Sequence, residues 1–392
     1  MLIEIHMLQN HAPSNLNRDD TGSPKDCIFG GIRRARISSQ SLKRSIRRSS
    51  IFVEELDAEQ LASRTRRLPD EVRKILLERG MSDEMTEIAA QKASGFGNKD
   101  GKEADDGLTA QMMFLSKADV TAIADALEQA AKAAGSPRAF KEVKAAQLQT
   151  AAQLRGWRPI TPDIALFGRM ITSDALRDVE AALQVAHAIS THKMEHEFDY
   201  FTAVDDLKKG TDEEDRGVGM IGDVEFTSAC FYKYFSLDFD ELVDNLAGED
   251  PARASEQDKQ AYAARRGAAV ELAQRTVVAL LKAAIFTSPS GKQNTFAAHQ
   301  LPDGILIEVR PNNIPVSYAN AFVRDVRLDP KEGLVSASLQ RFSAHVDRLT
   351  TKFSLRSNSR FWFTTGDVEV PGTVACETVD DLLAGLRAAM VS

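Results

Sequence analysis

The first 48 residues restrict the fold more than any other stretch, because they pair a strand period with a helix period and load the helix with cations. From Leu2 to Leu8, Ile3, Ile5 and Met7 alternate with Glu4 and His6, which predicts a half-buried strand. Residues 10–24 (NHAPSNLNRDDTGSP) have the composition of a loop. Ser38-Ser39 can then cap a helix running from about Gln40 to Arg48. In that helix Leu42 and Ile46 give a buried edge, while Gln40, Lys43 and Arg47 share a face carrying one amide and two cations. The positive end of the helix lies beside them. Such a face binds phosphates without reading bases, since nothing in it is shaped to a base edge.

Charge follows the same division. Residues 1–50 hold nine basic side chains against four acidic ones, a net of +5, whereas the 392-residue chain carries −8 and leaves −13 to the remainder. A basic stretch on an acidic body holds a polyanion at one place and repels it elsewhere, although a solvated helix face gives the same count. The overall balance excludes a uniformly basic nucleic-acid binder. Cys27, Cys230 and Cys376 are odd in number and far apart, which excludes a disulfide framework or a four-cysteine zinc site and predicts a reducing, cytoplasmic setting. No apolar run approaches the ~18–20 residues of a membrane span, and Met1-Leu2-Ile3-Glu4 predicts no signal peptide.

Downstream, a polar, helix-prone region extends to about residue 180. One helix is expected from about Lys117 to Gly135, and Ser136-Pro137 opens the next. Leu176, Val179, Leu183, Ala186 and Ile189 predict an apolar helix stripe, and Val270, Ala273, Val277, Leu280 and Ala284 predict a second. Phe226 to Phe235 and Gly304 to Arg310 read as strands, while Asp205 to Gly222 and 246–260 read as loops. The order is strand, helix, strands, helix, strands, with a helical insertion after the first helix. That is α+β.

Several motifs imitate chemistry. Gly217-Val218-Gly219-Met220-Ile221-Gly222 fits a dinucleotide fingerprint but lacks the strand before and the helix after it, so a flexible hairpin tip is expected. Ser290-Gly291-Lys292-Gln293 lacks the first glycine and the Ser/Thr of a phosphate loop; Lys292 remains a phosphate contact or an exposed turn residue. His192 and His196 have the spacing of two helical zinc ligands without the HExxH order or an evident third ligand. Asp19 and Asp20 beside Arg18 could hold Mg²⁺ and cut a phosphodiester, or simply pair with and orient basic side chains. Phe231 to Phe235 lacks the glycine pattern of an RNA-stacking motif and reads as core strand.

Longer strings resemble a known family. Leu16-Asn17-Arg18-Asp19-Asp20, Lys25-Asp26, Ile28-Phe29-Gly30-Gly31 and Arg36-Ile37-Ser38-Ser39-Gln40-Ser41-Leu42-Lys43-Arg44 resemble CasC-type backbone subunits of Cascade, the type I-E CRISPR interference complex. Ala165 to Met170, Gln184 to Lys193, Phe201 to Leu207 and Ser288 to Asn294 fit the family too, in order and over most of the chain.

The resemblance implies a right-hand shape. An RRM-like (ferredoxin-like) palm would take residues 1–50, 181–198 and 229–392; helical fingers would take 51–180, and a protruding thumb hairpin 199–228. It further implies a non-enzymatic antiviral ribonucleoprotein subunit that oligomerises along CRISPR RNA and presents guide bases to target DNA beside other Cascade subunits, with no cofactor, no metal and no membrane partner. RNA-binding positions carry over to Arg18, Lys25, Ser38, Gln40, Lys43 and Arg47, with Met170 beside a kinked nucleotide, Tyr200 and Phe201 at the thumb base, and Lys292. One departure is a long, acidic thumb tip over Lys208 to Gly222. The rival is a metal-dependent RNase of a related CRISPR effector using Asp19 and Asp20.

Overall fold

The computed structural model describes residues 1–104, 106–151, 154, 158–204, 218–248, 256–327 and 332–391; for 203–204, 218–221 and 256–259 it describes the backbone alone. Strand β1 (Leu2–Ser14) is followed by β2 (Asp26–Phe29), β3 (Ile32–Ile37) and helix α1 (Ser39–Arg48). Then come α2 (Ser50–Leu56), β4 (Ser63–Thr65), α3 (Leu68–Glu78), α4 (Asp83–Ser94), β5 (Met113–Leu115), α5 (Lys117–Ala134), α6 (Pro137–Glu142), α7 (Ala145–Leu148) and α8 (Pro162–Phe167). Short strands β6 (Leu183–Val185) and β7 (Ala188–Ser190) lead to β8 (Glu197–Val204) and the long β9 (Val218–Asp238). The chain ends with α9 (Phe239–Ala247), α10 (Glu256–Phe286), α11 (Gln293–Phe296), β10 (Gly304–Arg310), α12 (Leu334–Lys352), β11 (Ser359–Thr364), β12 (Val374–Cys376) and α13 (Val379–Ala389). This is a mixed α+β chain. No described helix is long and apolar enough to cross a membrane.

Two compact units emerge, residues 1–49, 185–237 and 280–392 in one, and 50–184 with 238–279 in the other. The expectation that 229–392 stays together is therefore corrected: 238–279 joins the helical unit, where α9 packs on α8 and Asn245 Nδ2 donates to the Glu180 carbonyl at 2.9 Å.

The first unit is built on a mixed sheet of order β12-β11-β10-β1-β9-β7-β3-β2. β1 runs to Ser14 rather than Leu8, because its alternating side chains meet cover on both faces and nearly all are buried. Its centre is ionic. Glu4 on β1 lies opposite Glu308 on β10, which lies opposite Arg360 on β11. Arg310 Nε sits 2.6 Å from Glu4, Arg310 Nη2 2.8 Å from Glu308, and Arg360 Nε 2.8 Å from Glu308, all buried or nearly so. The Tyr318 and Tyr234 hydroxyls donate to Glu308 and Glu4. Burial opposes charge on Glu308, but His6, Arg310 and Arg360 hold its carboxyl well below the usual range.

The second unit packs α3, α4 and α5 through Leu68, Val72, Leu76, Ala89, Ala93, Ile123 and Leu127 around Phe96 and Phe140. Local chemistry delimits α5: Ser116 and Asp119 form a reciprocal cap, and Gly135 closes the helix in the left-handed region at φ 68°. Ser136 caps α6 as expected. The apolar stripe of α10 is buried at Ala273 and Val277 here, and at Leu280 and Ala284 in the part of the helix that belongs to the first unit. The stripe at 176–189 is not a helix. Val179 bridges Arg169, and Ile189 and Ser190 pair with β9, so tertiary pairing overrides the helical spacing.

Lys233 carries the fold's most exposed energetic weakness. Its ammonium is fully buried, bonded to the Gln9 side chain, and burial pushes its pKa down to about 8 from 10.5. Because the unfolded chain holds this proton up to the higher value, native stability should rise with pH between these two limits. We therefore expect Lys233→Met to unfold at higher urea than wild type near neutral pH, apart from a constant offset from the orphaned Gln9 oxygen. The gap should shrink as pH climbs through that window. A gap independent of pH would mean that the amine is solvated or already neutral.

Candidate nucleic-acid interface

One asparagine organises the loop between β1 and β2. The Asn17 carbonyl accepts the Lys25 N–H at 2.8 Å, and its side-chain oxygen accepts the Ser38 N–H at 2.8 Å. Asn15, buried, donates to the Gly22 and Glu225 carbonyls at 2.9 Å each and so ties the loop to β9. Within the loop, Asp19 accepts from the Thr21 hydroxyl and from the Thr21 and Ser23 N–H groups. A Cβ added at Gly291 would fall 2.4 and 2.6 Å from the Leu16 and Asn15 carbonyls, so only glycine lets that turn rest on the loop. Lys292 follows in the left-handed region at φ 51°. Arg18 lines a shallow depression of about 480 Å³ with the rest of residues 16–22 and Gly291; Lys25 and Ser38 are tied to Asn17 through their backbone N–H groups, and Lys292 follows Gly291 in the chain.

Helix α1 begins at that depression. The Ser38 hydroxyl caps the Ser41 N–H, Leu42 and Ile46 are buried as expected, Gln40 is exposed, and Lys43 and Arg47 are half-buried. The basic run before it is divided between two jobs. Arg34 is fully buried and donates to the Phe322 carbonyl at 2.7 Å and the Ser190 carbonyl at 3.3 Å, while Arg33 pairs with Asp26. Arg34 builds the fold, whereas Arg33 stays exposed beside its carboxylate partner, so the count of +5 overstates the free positive charge at the surface. Gly30 and Gly31, both at positive φ, close the β2–β3 hairpin, and a Cβ on Gly30 would meet the Val323 carbonyl at 1.9 Å.

The aromatic positions lie on the β8–β9 ladder, where Tyr200 is 75% exposed and Phe201 is 41% exposed over Gly222. Gly222 thus sits in a strand, as does the segment from Val218, rather than in a hairpin tip. The acidic part of the tip, 208–217, lies outside the described residues. Met170 belongs to the second unit and is 91% exposed. Its neighbour Arg169 is buried against Asp119 at 2.7 Å; burial opposes the Asp119 charge, but Arg169 and Ser116 outweigh it and keep the carboxyl low. That ion pair anchors the backbone which holds Met170 in solvent.

The rival motifs resolve into structure. Asp19 is drawn below its usual pKa first by the Thr21 hydroxyl and then by backbone N–H groups, and its partners are these groups rather than Arg18. His192 bonds the Lys193 carbonyl and His196 bonds Glu225, on non-helical backbone, so they do not share a ligand position. Among the described residues, the one cluster with metal-like geometry is Glu4, His6 and Glu308, whose carboxylates already meet Arg310 and Arg360. Phe231 to Phe235 is buried strand. No local pattern reveals the partners of Asn17 and His187, which lie far along the chain: Ser38 N–H for Asn17, and Arg36 for His187, whose place in sequence near His192 and His196 points only to a metal.

The sequence model of a family described as CT1975-like protein matches residues 3–384. Among solved structures, a chain of a "CRISPR RNA-guided surveillance complex, pre-nicking" is 27% identical, with a TM-score of 0.78 and full coverage of both chains. A chain of a second "CRISPR RNA-guided surveillance complex" is 23% identical over 99% of this chain and 100% of that one, with a TM-score of 0.69, and shows a shared fold. No curated protein matches the chain.

Removing the Asn17 side chain should loosen the depression without unfolding the sheet. In Asn17→Ala the Ser38 N–H loses its acceptor, a change worth about 0.5–2 kcal/mol at a helix start. Trypsin should cut after Arg18 faster than in wild type while the melting temperature barely moves. Equal cleavage rates would mean that Asp19 and Asn15 hold the loop unaided.

Proposed function

The chain belongs to the CT1975-like protein family, and from that premise we propose that it is a non-catalytic, CRISPR RNA-binding backbone subunit of a Cascade-type surveillance complex. In this reading the first unit is an RRM-like palm, the second forms the fingers, and the β8–β9 ladder is the base of a thumb. Copies assemble head to tail in the cytoplasm, with other subunits, along one CRISPR RNA, each thumb crossing the guide and leaving bases free to pair with target DNA. The observation that carries the reading is the gathering of Arg18, Lys25, Ser38 and Lys292 around Asn17 at the start of α1. A phosphate would meet Arg18 here, with Lys25 and the capped start of α1 next to the loop and no base-shaped slot, while the Asp19 carboxylate is occupied by Thr21 and Ser23.

Gln40, Lys43 and Arg47 extend the grip along α1, Met170 supports a kinked nucleotide, and Tyr200 and Phe201 offer apolar rings to bases, each typically worth about 1–3 kcal/mol. The acidic body repels stray nucleic acid from other faces.

Lys43→Ala and Arg47→Ala should each weaken RNA binding across all sequences and flatten the log–log salt slope by about 0.7 for a single strand. Unchanged slopes would show that α1 faces away from the RNA.

A second expectation separates scaffold from nuclease. Incubated with Mg²⁺ and labelled target RNA, the wild type and the Asp19→Ala/Asp20→Ala double variant should both stay at background. Metal-dependent cutting that vanishes in the double variant would sink the non-catalytic reading.

A further inference from the structure

Beside the Asn17 loop, β3 brings Arg36 against a histidine whose outward nitrogen is unused. Arg36 N–H donates to the Lys25 carbonyl, and Arg36 Nε donates to the Asp26 carbonyl at 2.9 Å. Its Nη1 lies 2.9 Å from Nδ1 of His187, an exposed residue between β6 and β7. A guanidinium can only donate, so Nδ1 accepts, and the neutral ring must carry its proton on Nε2. Among the described residues, nothing meets that Nε2–H.

The charges acting on His187 are Arg36 and Lys25, both positive; the Asp26 carboxylate is committed to Arg33. Burial first, and then these two cations, hold the imidazole below its ordinary pKa, which favours the neutral ring near pH 7. The arrangement is a fixed neutral donor inside a positive field. It suits an anionic oxygen, and Lys25, whose backbone N–H bonds the Asn17 carbonyl, links it to the Asn17 loop.

We propose that His187 is an RNA-backbone contact whose Nε2–H donates to a phosphate oxygen beside Lys25, with Arg36 as the positioning residue that sets the ring and its tautomer. This rests on the RNA-binding reading above. It differs from the lysine and arginine contacts in kind, because it adds a hydrogen bond without adding a charge.

The test is RNA affinity measured against salt with a fluorescently labelled CRISPR RNA transcript, for wild type, Lys25→Ala, His187→Ala and His187→Gln. His187→Ala should bind about three- to tenfold more weakly at every salt, with its slope unchanged. Lys25→Ala should flatten the slope by about 0.7. His187→Gln, which keeps an N–H donor that cannot titrate, should recover most of the affinity. The ratio of wild-type to His187→Ala affinity should stay level between about pH 7 and 8, where burial and the two nearby cations favour the neutral ring.

Equal affinity of wild type and His187→Ala would overturn the proposal. A slope reduction matching that of Lys25→Ala would also overturn it, by making His187 a cation. If His187→Ala does not fold, His187→Phe, which removes the donor and keeps a ring, takes its place against His187→Gln. Wild type that binds no RNA at any salt would instead overturn the RNA-binding reading itself.

Discussion

The first unit depends on a buried ionic network that fixes how its central strands align. Glu4 and Glu308 face each other across β1 and β10, a like-charge pairing that would be costly alone. Arg310 and Arg360 neutralise it from the same and the next strand. A one-residue slip of any of these strands would turn the charges to the opposite face and leave them buried without partners. Removing one partner of such a network typically costs about 3–5 kcal/mol, far more than the intact network contributes. The network therefore acts chiefly as a selector of register.

Register at the centre propagates to the edge where the loop and α1 lie. β9 pairs with β7, and β7 with β3, so the position of Arg36 opposite Ile189 follows from the strands before it. Asn15 binds β9 at Glu225, and Asn17 binds the start of α1. The loop that carries Arg18 is thus held in place by side-chain amides and glycines that carry no charge. Lys25, Arg36 and Ser38 are each held through backbone groups.

Elements with local causes were legible in the sequence. The Ser38 cap with Leu42 and Ile46, the Ser116–Asp119 box, and the Gly135 stop followed by Ser136-Pro137 each lie within a few residues of the structure they specify. Long-range causes were hidden. Arg34 reads as one more cation in a basic run, yet it is buried because the Phe322 carbonyl, from a distant segment, meets its guanidinium. The 176–189 stripe has helical spacing, but β3 and β9 recruit Ala188 to Ser190 into a sheet. The family strings located Arg18, Lys25 and Ser38, whereas Asn17 and His187 gain their meaning from partners 21 and 151 positions away.

The discontinuity of the first unit has a consequence for biosynthesis. β1 precedes both of its sheet neighbours, β9 and β10, in the chain and is buried on both faces in the finished fold. With β10 starting at Gly304, translation at about 5–20 residues per second leaves β1 without that neighbour for roughly 15–60 s. Over that interval a thirteen-residue strand has at least one unpaired edge, and both until β9 is made, which makes it an aggregation template. Such a chain gains from shielding by nascent-chain chaperones or from translation without long pauses between β1 and β10.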